Sequence, residues 1–174
     1  SKMIKKIIKN LAIILLLFTL IICYLSLVGV KTKKFNNKIV NNISKINKKI
    51  NLDLRDVKYL LDPYSFKVNV TTKDPTVLLG NNKLKIEEVK TSISLKSLIY
   101  NEFSVGDLQI STKTIKLNDL ILLARSFKNT TELFLLDKLI KDGFLKAKIK
   151  LKFDDKGDVK KDYQITGFVK NVKL

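Results

Sequence analysis

The side chains that most often carry out chemistry in proteins are scarce in this chain of 174 residues. It has no histidine and a single cysteine, Cys23, so the commonest general base and the commonest transition-metal ligand are missing. The acidic residues are scattered and fall mostly in predicted turns. No glycine-rich phosphate loop and no Cys/His metal spacing occurs. We therefore predict that the chain is not an enzyme and holds no metal and no cofactor.

Several segments, in which every second residue is apolar, could instead bind apolar chains. In LKAKIKLKF (145–153) one predicted face is wholly apolar and the other carries four lysines. Such a face either packs into a closed core or stays open as a trough that suits acyl chains, and the pattern leaves both alternatives open. We predict ten residues to line the trough: Phe66, Val68, Val70, Ile86, Ile93, Phe103, Val105, Ile110, Ile149 and Leu151.

One uncharged segment, LAIILLLFTLIICYLSLVGV (11–30), is positioned to hold these strands at a membrane. As a helix it would be about 30 Å long, the thickness of the hydrocarbon core of a bilayer. We therefore predict a transmembrane anchor with a short tail over residues 1–31. A cleaved signal peptide is the alternative, although the apolar core is long for one and no good cleavage site follows. The predicted membrane-interface lysines are Lys5, Lys6, Lys9, Lys31, Lys33 and Lys34.

The remainder predicts one amphipathic helix and then a sheet. Within residues 32–51, apolar residues recur at spacings of four, four, three and four, which is typical of one helical stripe. This helix either packs on its own domain or lies at the mouth of the sheet or on the membrane surface. Residues 52–174 predict a curved antiparallel sheet. Two apolar helical runs, DLILLARSF (119–127) and ELFLLDKLIKD (132–142), are expected to cover it. The predicted fold class is thus membrane-anchored α+β.

Four sites in the sequence predict a break, a turn or an irregularity in the strands. Asp74-Pro75 predicts a strand break and Gly80-Asn81-Asn82 a hairpin. Glu87-Glu88 interrupts one alternating run, and Gly106-Asp107 predicts a bulge. The pattern is still strand-like at Leu174, so we expect the domain to continue beyond the given chain.

The charge of the chain favours anionic surfaces. The formal net charge is +18, and all but two of the 34 basic residues are lysine. A diffuse ammonium field is attracted to anionic membranes. Nucleic-acid readers rely on arginine forks and stacked aromatic residues, neither of which forms a cluster here. We predict no nucleic-acid partner and rank a basic nucleic-acid binder last among the possible functions.

The order of these elements resembles the N-terminal region of AsmA-like proteins of Gram-negative bacteria. The likeness is carried by SFKVNVTT (65–72) and by KLKIEEVKTSISLKSLIYNEFSVGDLQI (83–110). In the latter a strand "I-x-E-V" runs into "S-L-x-S-L", then an "N-E-F" link and a strand "V-G-D-L-x-I". These are patterns rather than catalytic signatures.

The resemblance implies a function that the residue patterns alone do not. AsmA-like proteins are similar to the chorein-type, bridge-like lipid-transfer proteins, in which phospholipids slide along an apolar β-groove that crosses the periplasm. It implies an inner-membrane protein with a cytoplasmic N-terminus and a periplasmic domain, with phospholipid and envelope proteins as partners. The residues after Val30 are too few to cross an envelope, which favours a fragment of a longer protein. The competing hypothesis is an envelope assembly or structural factor that carries no lipid.

Overall fold

The computed structural model describes residues 1–46, 48–100, 105–127, 129–152 and 160–174. The fold is α+β, with one long apolar helix at the N-terminus and a large open antiparallel sheet. The helices are α1 (Lys2–Leu27), α2 (Asn36–Ile46), α3 (Leu95–Ile99), α4 (Leu117–Phe127) and α5 (Thr131–Leu139). The strands are β1 (Val30–Thr32), β2 (Ile50–Asp53), β3 (Val57–Asp62), β4 (Lys67–Lys73), β5 (Thr76–Leu79), β6 (Asn82–Ser94), β7 (Val105–Thr112), β8 (Ile115–Lys116), β9 (Asp142–Lys152) and β10 (Gln164–Lys173).

Helix α1 projects from the domain. Its 26 residues make a helix about 39 Å long, and it is long and apolar enough to cross a membrane. Its residues are exposed except near its C-terminal end, where it contacts β3. Two of its hydroxyls are satisfied within the helix, since Thr19 donates to the carbonyl of Leu15 at 2.9 Å and Ser26 to that of Ile22 at 2.7 Å. These polar groups therefore need no water.

The sheet has ten strands, and its main path runs β1-β3-β4-β6-β7-β9-β10. Every strand pairing within it is antiparallel. Strand β5 extends the sheet beside the first half of β6, β2 pairs with β5, and β8 pairs with the start of β9. The predicted hairpin is confirmed, because Leu79 lies opposite Asn82 and leaves Gly80 and Asn81 as a two-residue turn.

We call the bend the line across the sheet where two neighbouring strand runs are interrupted and a third is bulged. The chain leaves β4 at Asp74-Pro75, as predicted, and β2 and β3 are separated at residues 54–56. Beside these breaks, the 13-residue strand β6 continues through a bulge at Glu87. The Nζ of Lys113 lies 2.7 Å from a carboxylate oxygen of Asp74. Strand breaks and bulges of this kind are a usual source of curvature in sheets.

The buried core lies next to this bend. Its apolar members are Ile50, Val57, Val70, Leu79, Leu84, Ile86, Ile115, Ile121, Ile140 and Ala147. Helix α2 contacts β2, and the Asn36 amide of α2 donates to the carbonyl of Arg55 at 2.8 Å. Helix α4 contacts β6, β8 and β9. The main contact of α5 is with α4 rather than with the sheet.

Several predicted boundaries differ from those observed. Helix α2 is shorter than residues 32–51, because β1 and β2 occupy the two ends of that range. Thr130 caps α5, with its hydroxyl accepting from the Leu133 amide at 3.2 Å. Helix α4 begins at Leu117, before the predicted run 119–127, and α5 ends at Leu139, before the end of the predicted run 132–142. Asp142, the last residue of that predicted run, is the first residue of β9.

Thr112 joins two parts of the sheet with its side chain. Strand β9 pairs with β7 up to Ser111 and with β8 from Ile115, so Ala147 lies in the gap between them. The buried Thr112 hydroxyl accepts from the Ala147 amide at 2.8 Å and donates to the Ala147 carbonyl at 3.3 Å. One side chain therefore replaces two missing backbone hydrogen bonds.

Replacing this hydroxyl should destabilise the domain. The Thr112→Val variant keeps the shape but leaves the amide and carbonyl of Ala147 unpaired, which should lower the free energy of unfolding by about 1–3 kcal/mol. Urea unfolding gives the stability, and hydrogen exchange reports the Ala147 amide directly. Thr112→Ser, which retains the hydroxyl, should keep that amide protected. Equal protection in Thr112→Val would refute the bridging role.

Gly29 connects α1 to the sheet at a point where its backbone lies close to that of β3. Its φ is +75°, in the left-handed region, and a Cβ added there would collide with the carbonyl oxygen of Tyr59. Gly80 provides a matched case, because its φ is +59° but a Cβ there would have nothing within 4 Å. Comparing alanine variants at the two glycines therefore separates the free-energy cost of the left-handed backbone from that of the steric collision.

We expect Gly80→Ala to lower the free energy of unfolding by about 1 kcal/mol, from the left-handed backbone alone. Gly29→Ala should cost about 3 kcal/mol or more, because the backbone of β3 must also move. Urea unfolding of the detergent-purified chain measures both values. Equal losses in the two variants would show that α1 and β3 are not in tight contact.

Candidate functional site: the apolar face of the sheet

Strand register brings most of the predicted residues to one face. Residues directly opposite each other in an antiparallel pair project to the same side of the sheet. Val68 lies opposite Ile93, and Ile110 opposite Ile149. Residues two apart in a strand share a face. The members of this apolar face among the predicted residues are therefore Val68, Val70, Ile93, Ile110, Ile149 and Leu151. Val105 is the register partner of Ile93, and Phe103 lies outside the described residues.

A bulge in β6 brings Ile86 to this face as well. Ile86 lies opposite Thr112, whereas Glu88 lies opposite Ser111, so Glu87 is an extra residue with no opposite number in β7. Strict alternation would put Ile86 on the other side from the apolar residues that follow it. Because of the extra residue, Ile86 projects to the same side of the sheet as the apolar residues that follow it. The interruption noted in the sequence thus keeps the apolar residues of both halves of β6 together.

The bulge predicted at Gly106 is confirmed and has its own support. Ser92 lies opposite Asp107 and Ile93 opposite Val105, which leaves Gly106 without a partner in β6. The Asp107 carboxylate accepts from the Ser92 amide at 3.1 Å and also from the Ser92 hydroxyl. These bonds hold the register on both sides of the bulge.

Burial of the apolar face decreases across the sheet. Near the bend Val70 and Ile86 are buried, so they belong to the core. The more central residues Val68, Ile93 and Ile110, and Ile149 and Leu151 on β9, are half-buried. On β10, Ile165 is 60% exposed and Val169 49% exposed. Among the described residues, the face is thus closed beside the bend and open towards β10.

Some members of the face were not among the ten predicted residues. Tyr59 lies opposite Val70, Leu108 opposite Leu151, and Ile165 opposite Ile149. Their alternation with polar neighbours is visible in the sequence. What placed them on this face was the register between strands, which a single sequence does not specify.

Phe66 does not lie in a strand. It precedes β4 with a left-handed φ of +51°, and it is exposed at the tip of the turn between β3 and β4. There it lines an open cavity of about 580 Å³ together with Leu95, Ile99 and Tyr100. The carbonyl of Phe66 accepts from the Leu95 amide at 2.8 Å, which ties the turn to α3.

The other face of the sheet is polar and cationic. One row of mutually opposite residues across five strands reads Thr71, Lys90, Gln109, Lys150 and Gln164. The β9 lysines of this face, which are Lys146, Lys148, Lys150 and Lys152, are exposed. The sheet is therefore amphipathic, with lysines on the side opposite the apolar face.

The predicted membrane-interface lysines lie at the two ends of the apolar helix. Those before it occupy the first turns of α1 rather than a separate tail, and those after it begin in β1. All six are exposed: Lys5, Lys6, Lys9, Lys31, Lys33 and Lys34. Next to the last of them, the Phe35 ring packs edge-on against Tyr59 with 5.7 Å between ring centroids.

Two groups near the bend have a shifted pKa. The pKa of Asp74 is lowered, first by the hydrogen bond from Lys113 and its charge and then by the charges of Arg55 and Lys73. Burial raises the pKa of Tyr59, whose hydroxyl has no hydrogen-bond partner among the described residues. No group of three or more Cys, Asp or Glu side chains in the described part of the chain could hold a metal ion.

Comparisons with known proteins identify no relative. No protein-family model matches the chain, and neither a curated protein nor a solved structure is similar to it.

The ion pair at the bend predicts a specific pH dependence. Because the folded-state pKa of Asp74 is lowered, the pair stabilises the fold above the unfolded pKa of about 3.9, and this stabilisation is lost as the pH falls through the lowered value. In Lys113→Met the pKa of Asp74 should rise towards that of a free carboxyl. An NMR titration of the Asp74 carboxyl carbon measures it, with Lys116→Met as the control. An unchanged pKa in Lys113→Met would contradict the assignment.

Proposed function

We propose that this chain is an AsmA-like protein anchored in the inner membrane, whose apolar β-face carries phospholipid between the inner and outer membranes. In this proposal α1 crosses the inner membrane with its N-terminus in the cytoplasm, and the sheet lies in the periplasm. Helix α4, with α5 packed on it, covers one end of the trough.

The observation that carries the proposal is a single apolar face that stays partly open. Neighbouring strands direct their apolar residues to one side, and two bulges preserve that facing where alternation alone would break it. A face that served only as a closed core would be expected to be buried throughout. Here the part formed by β9 and β10 is half-buried to exposed.

The junction with α1 supports the same proposal. Helix α1 has a mean hydropathy suited to a bilayer and lies outside the domain core. In water such a helix would leave a large apolar surface exposed. Its C-terminal end contacts β3, whose Tyr59 lies on the apolar face. A lipid leaving the bilayer beside α1 would therefore meet the trough directly.

The mechanism follows from the amphipathic sheet. Acyl chains lie on the apolar face while headgroups stay in water at its open side. Each buried CH₂ contributes about 0.8 kcal/mol to binding. Burial of the face decreases from Val70 towards Ile165, so a chain that moves that way loses apolar contact, and net transport requires a gradient or an energy source.

The alternative is an anchored assembly or structural factor that binds envelope proteins and carries no lipid. Two observations favour it. Val70 and Ile86, both predicted to line the trough, are buried near the bend. Strand β10 is exposed along its whole length at one edge of the sheet, so its free backbone groups are available for pairing with a strand of a partner.

Lipid occupancy tests the proposal. Native mass spectrometry of the detergent-purified full chain should detect bound phospholipid. Ile149→Asp, which puts a charge on the apolar face, should reduce occupancy at least about tenfold, because a carboxylate is costly beside acyl chains. Lys150→Asp changes the adjacent residue on the opposite face and should leave occupancy unchanged.

Circular dichroism must show that both variants remain folded. If Ile149→Asp binds as much phospholipid as Lys150→Asp, the apolar face does not carry the lipid. If no phospholipid is found on the unmodified chain, the assembly-factor alternative is favoured.

A further inference from the structure

The chain order fixes which end of the sheet adjoins α1. Strand β1 begins with Val30 opposite Tyr59 and runs antiparallel to β3, ending with Thr32 opposite Val57. The chain before Val30 therefore lies towards the Asp62 end of β3, and α1 contacts that strand. The same end of the sheet holds the turn at residues 63–66, which follows β3.

Helix α3 lies at this end too. Strand β6 ends at Ser94, which is opposite Lys67 at the start of β4. Helix α3 follows immediately, and the Leu95 amide donates to the Phe66 carbonyl. The β3–β4 turn and α3 are thus neighbours on the end of the sheet from which α1 leaves. We call the β3–β4 turn (63–66) and α3 with the following Tyr100 the end patch.

The end patch is apolar, aromatic and exposed. Tyr64 is 97% exposed, Phe66 71%, Ile99 78% and Tyr100 67%. Two exposed lysines, Lys67 and Lys96, flank these side chains. Between them lies the open cavity of about 580 Å³ described above. An exposed cluster of this composition is costly in water and is typical of an interaction surface.

The far end of the sheet differs at the corresponding position. Its β5–β6 turn consists of Gly80 and Asn81, followed by Asn82 and Lys83, all polar or small and all exposed. The two ends of β6 therefore differ in the chemistry of their exposed side chains as well as in their distance from α1.

We propose that the end patch is a second membrane-contact site, which inserts into the interface of the bilayer that α1 spans. Tyrosine rings favour the level of the headgroups, with the ring in the apolar boundary and the hydroxyl in water. Phe66 and Ile99 reach the acyl region, and Lys67 and Lys96 pair with anionic headgroups. The end patch then holds the sheet end-on to the membrane, with the cavity opening towards lipid. This inference rests on the proposed membrane anchoring of α1.

Tryptophan fluorescence tests the contact cleanly, because the chain contains no tryptophan. The full chain is reconstituted into vesicles of brominated phosphatidylcholine with phosphatidylglycerol, with one reporter per variant. Tyr64→Trp and Tyr100→Trp should show about twofold lower emission than in unbrominated vesicles, since interfacial side chains lie about 5–10 Å into the boundary of the headgroups. Phe18→Trp reports on the span of α1, and Asn81→Trp on the far end of the sheet.

The four reporters test the membrane contact of the end patch separately from the membrane anchoring of α1. Quenching in Phe18→Trp, Tyr64→Trp and Tyr100→Trp but not in Asn81→Trp supports the end-on contact. Quenching in Phe18→Trp alone overturns the contact and leaves the anchor intact. If Phe18→Trp is not quenched, the anchor itself fails. Equal quenching in Tyr64→Trp and Asn81→Trp overturns the end-on arrangement, because the domain then lies flat or inserts without preference.

Discussion

The architecture depends on keeping the apolar residues of successive strands on one side of the sheet. A one-residue slip in any strand would move its apolar set to the lysine face. The fold meets this constraint with two bulges: Glu87 restores the facing of Ile86, and Gly106 absorbs the extra residue of β7. The hydrogen bonds between Asp107 and Ser92 reinforce the second bulge. The positions of the extra residues therefore determine on which side of the sheet the apolar residues lie.

The same face is connected to α1 through one crowded joint. Gly29 lies against the backbone of Tyr59, and the ring of Tyr59 packs against Phe35. Because Tyr59 belongs to the apolar face, the joint lies on that side of the sheet rather than on the lysine side. The end patch lies at the end of the sheet from which the helix leaves. Helix α1, the apolar face and the end patch are therefore continuous in the fold.

Side-chain periodicity predicted the strands well but not how they pair. Alternation placed Val68, Ile110 and Ile149 on one face of their own strands, and the register then joined those faces. Phe66 continued the alternation in the sequence but adopts a left-handed turn, which no periodicity reports. Val70 follows the same alternation as Val68, yet Val70 is buried and Val68 is half-buried. Local patterns thus predict facing, whereas burial along the face depends on contacts between distant segments.

The decrease in burial across the sheet bears on how a lipid would lie in the proposed trough. Strands β4, β6, β7, β9 and β10 are five neighbours, and at about 4.8 Å between strands they span about 19 Å. A single leaflet supplies acyl chains of about 15 Å, half of the hydrocarbon core. One chain therefore fits across these strands, perpendicular to them, with its tail near the buried Val70 and its exposed portion near Ile165. A chain lying along the strands would instead meet the closed core at the bend. The open direction of the face is thus across the strands, and the headgroup of such a lipid would reach water beside β10.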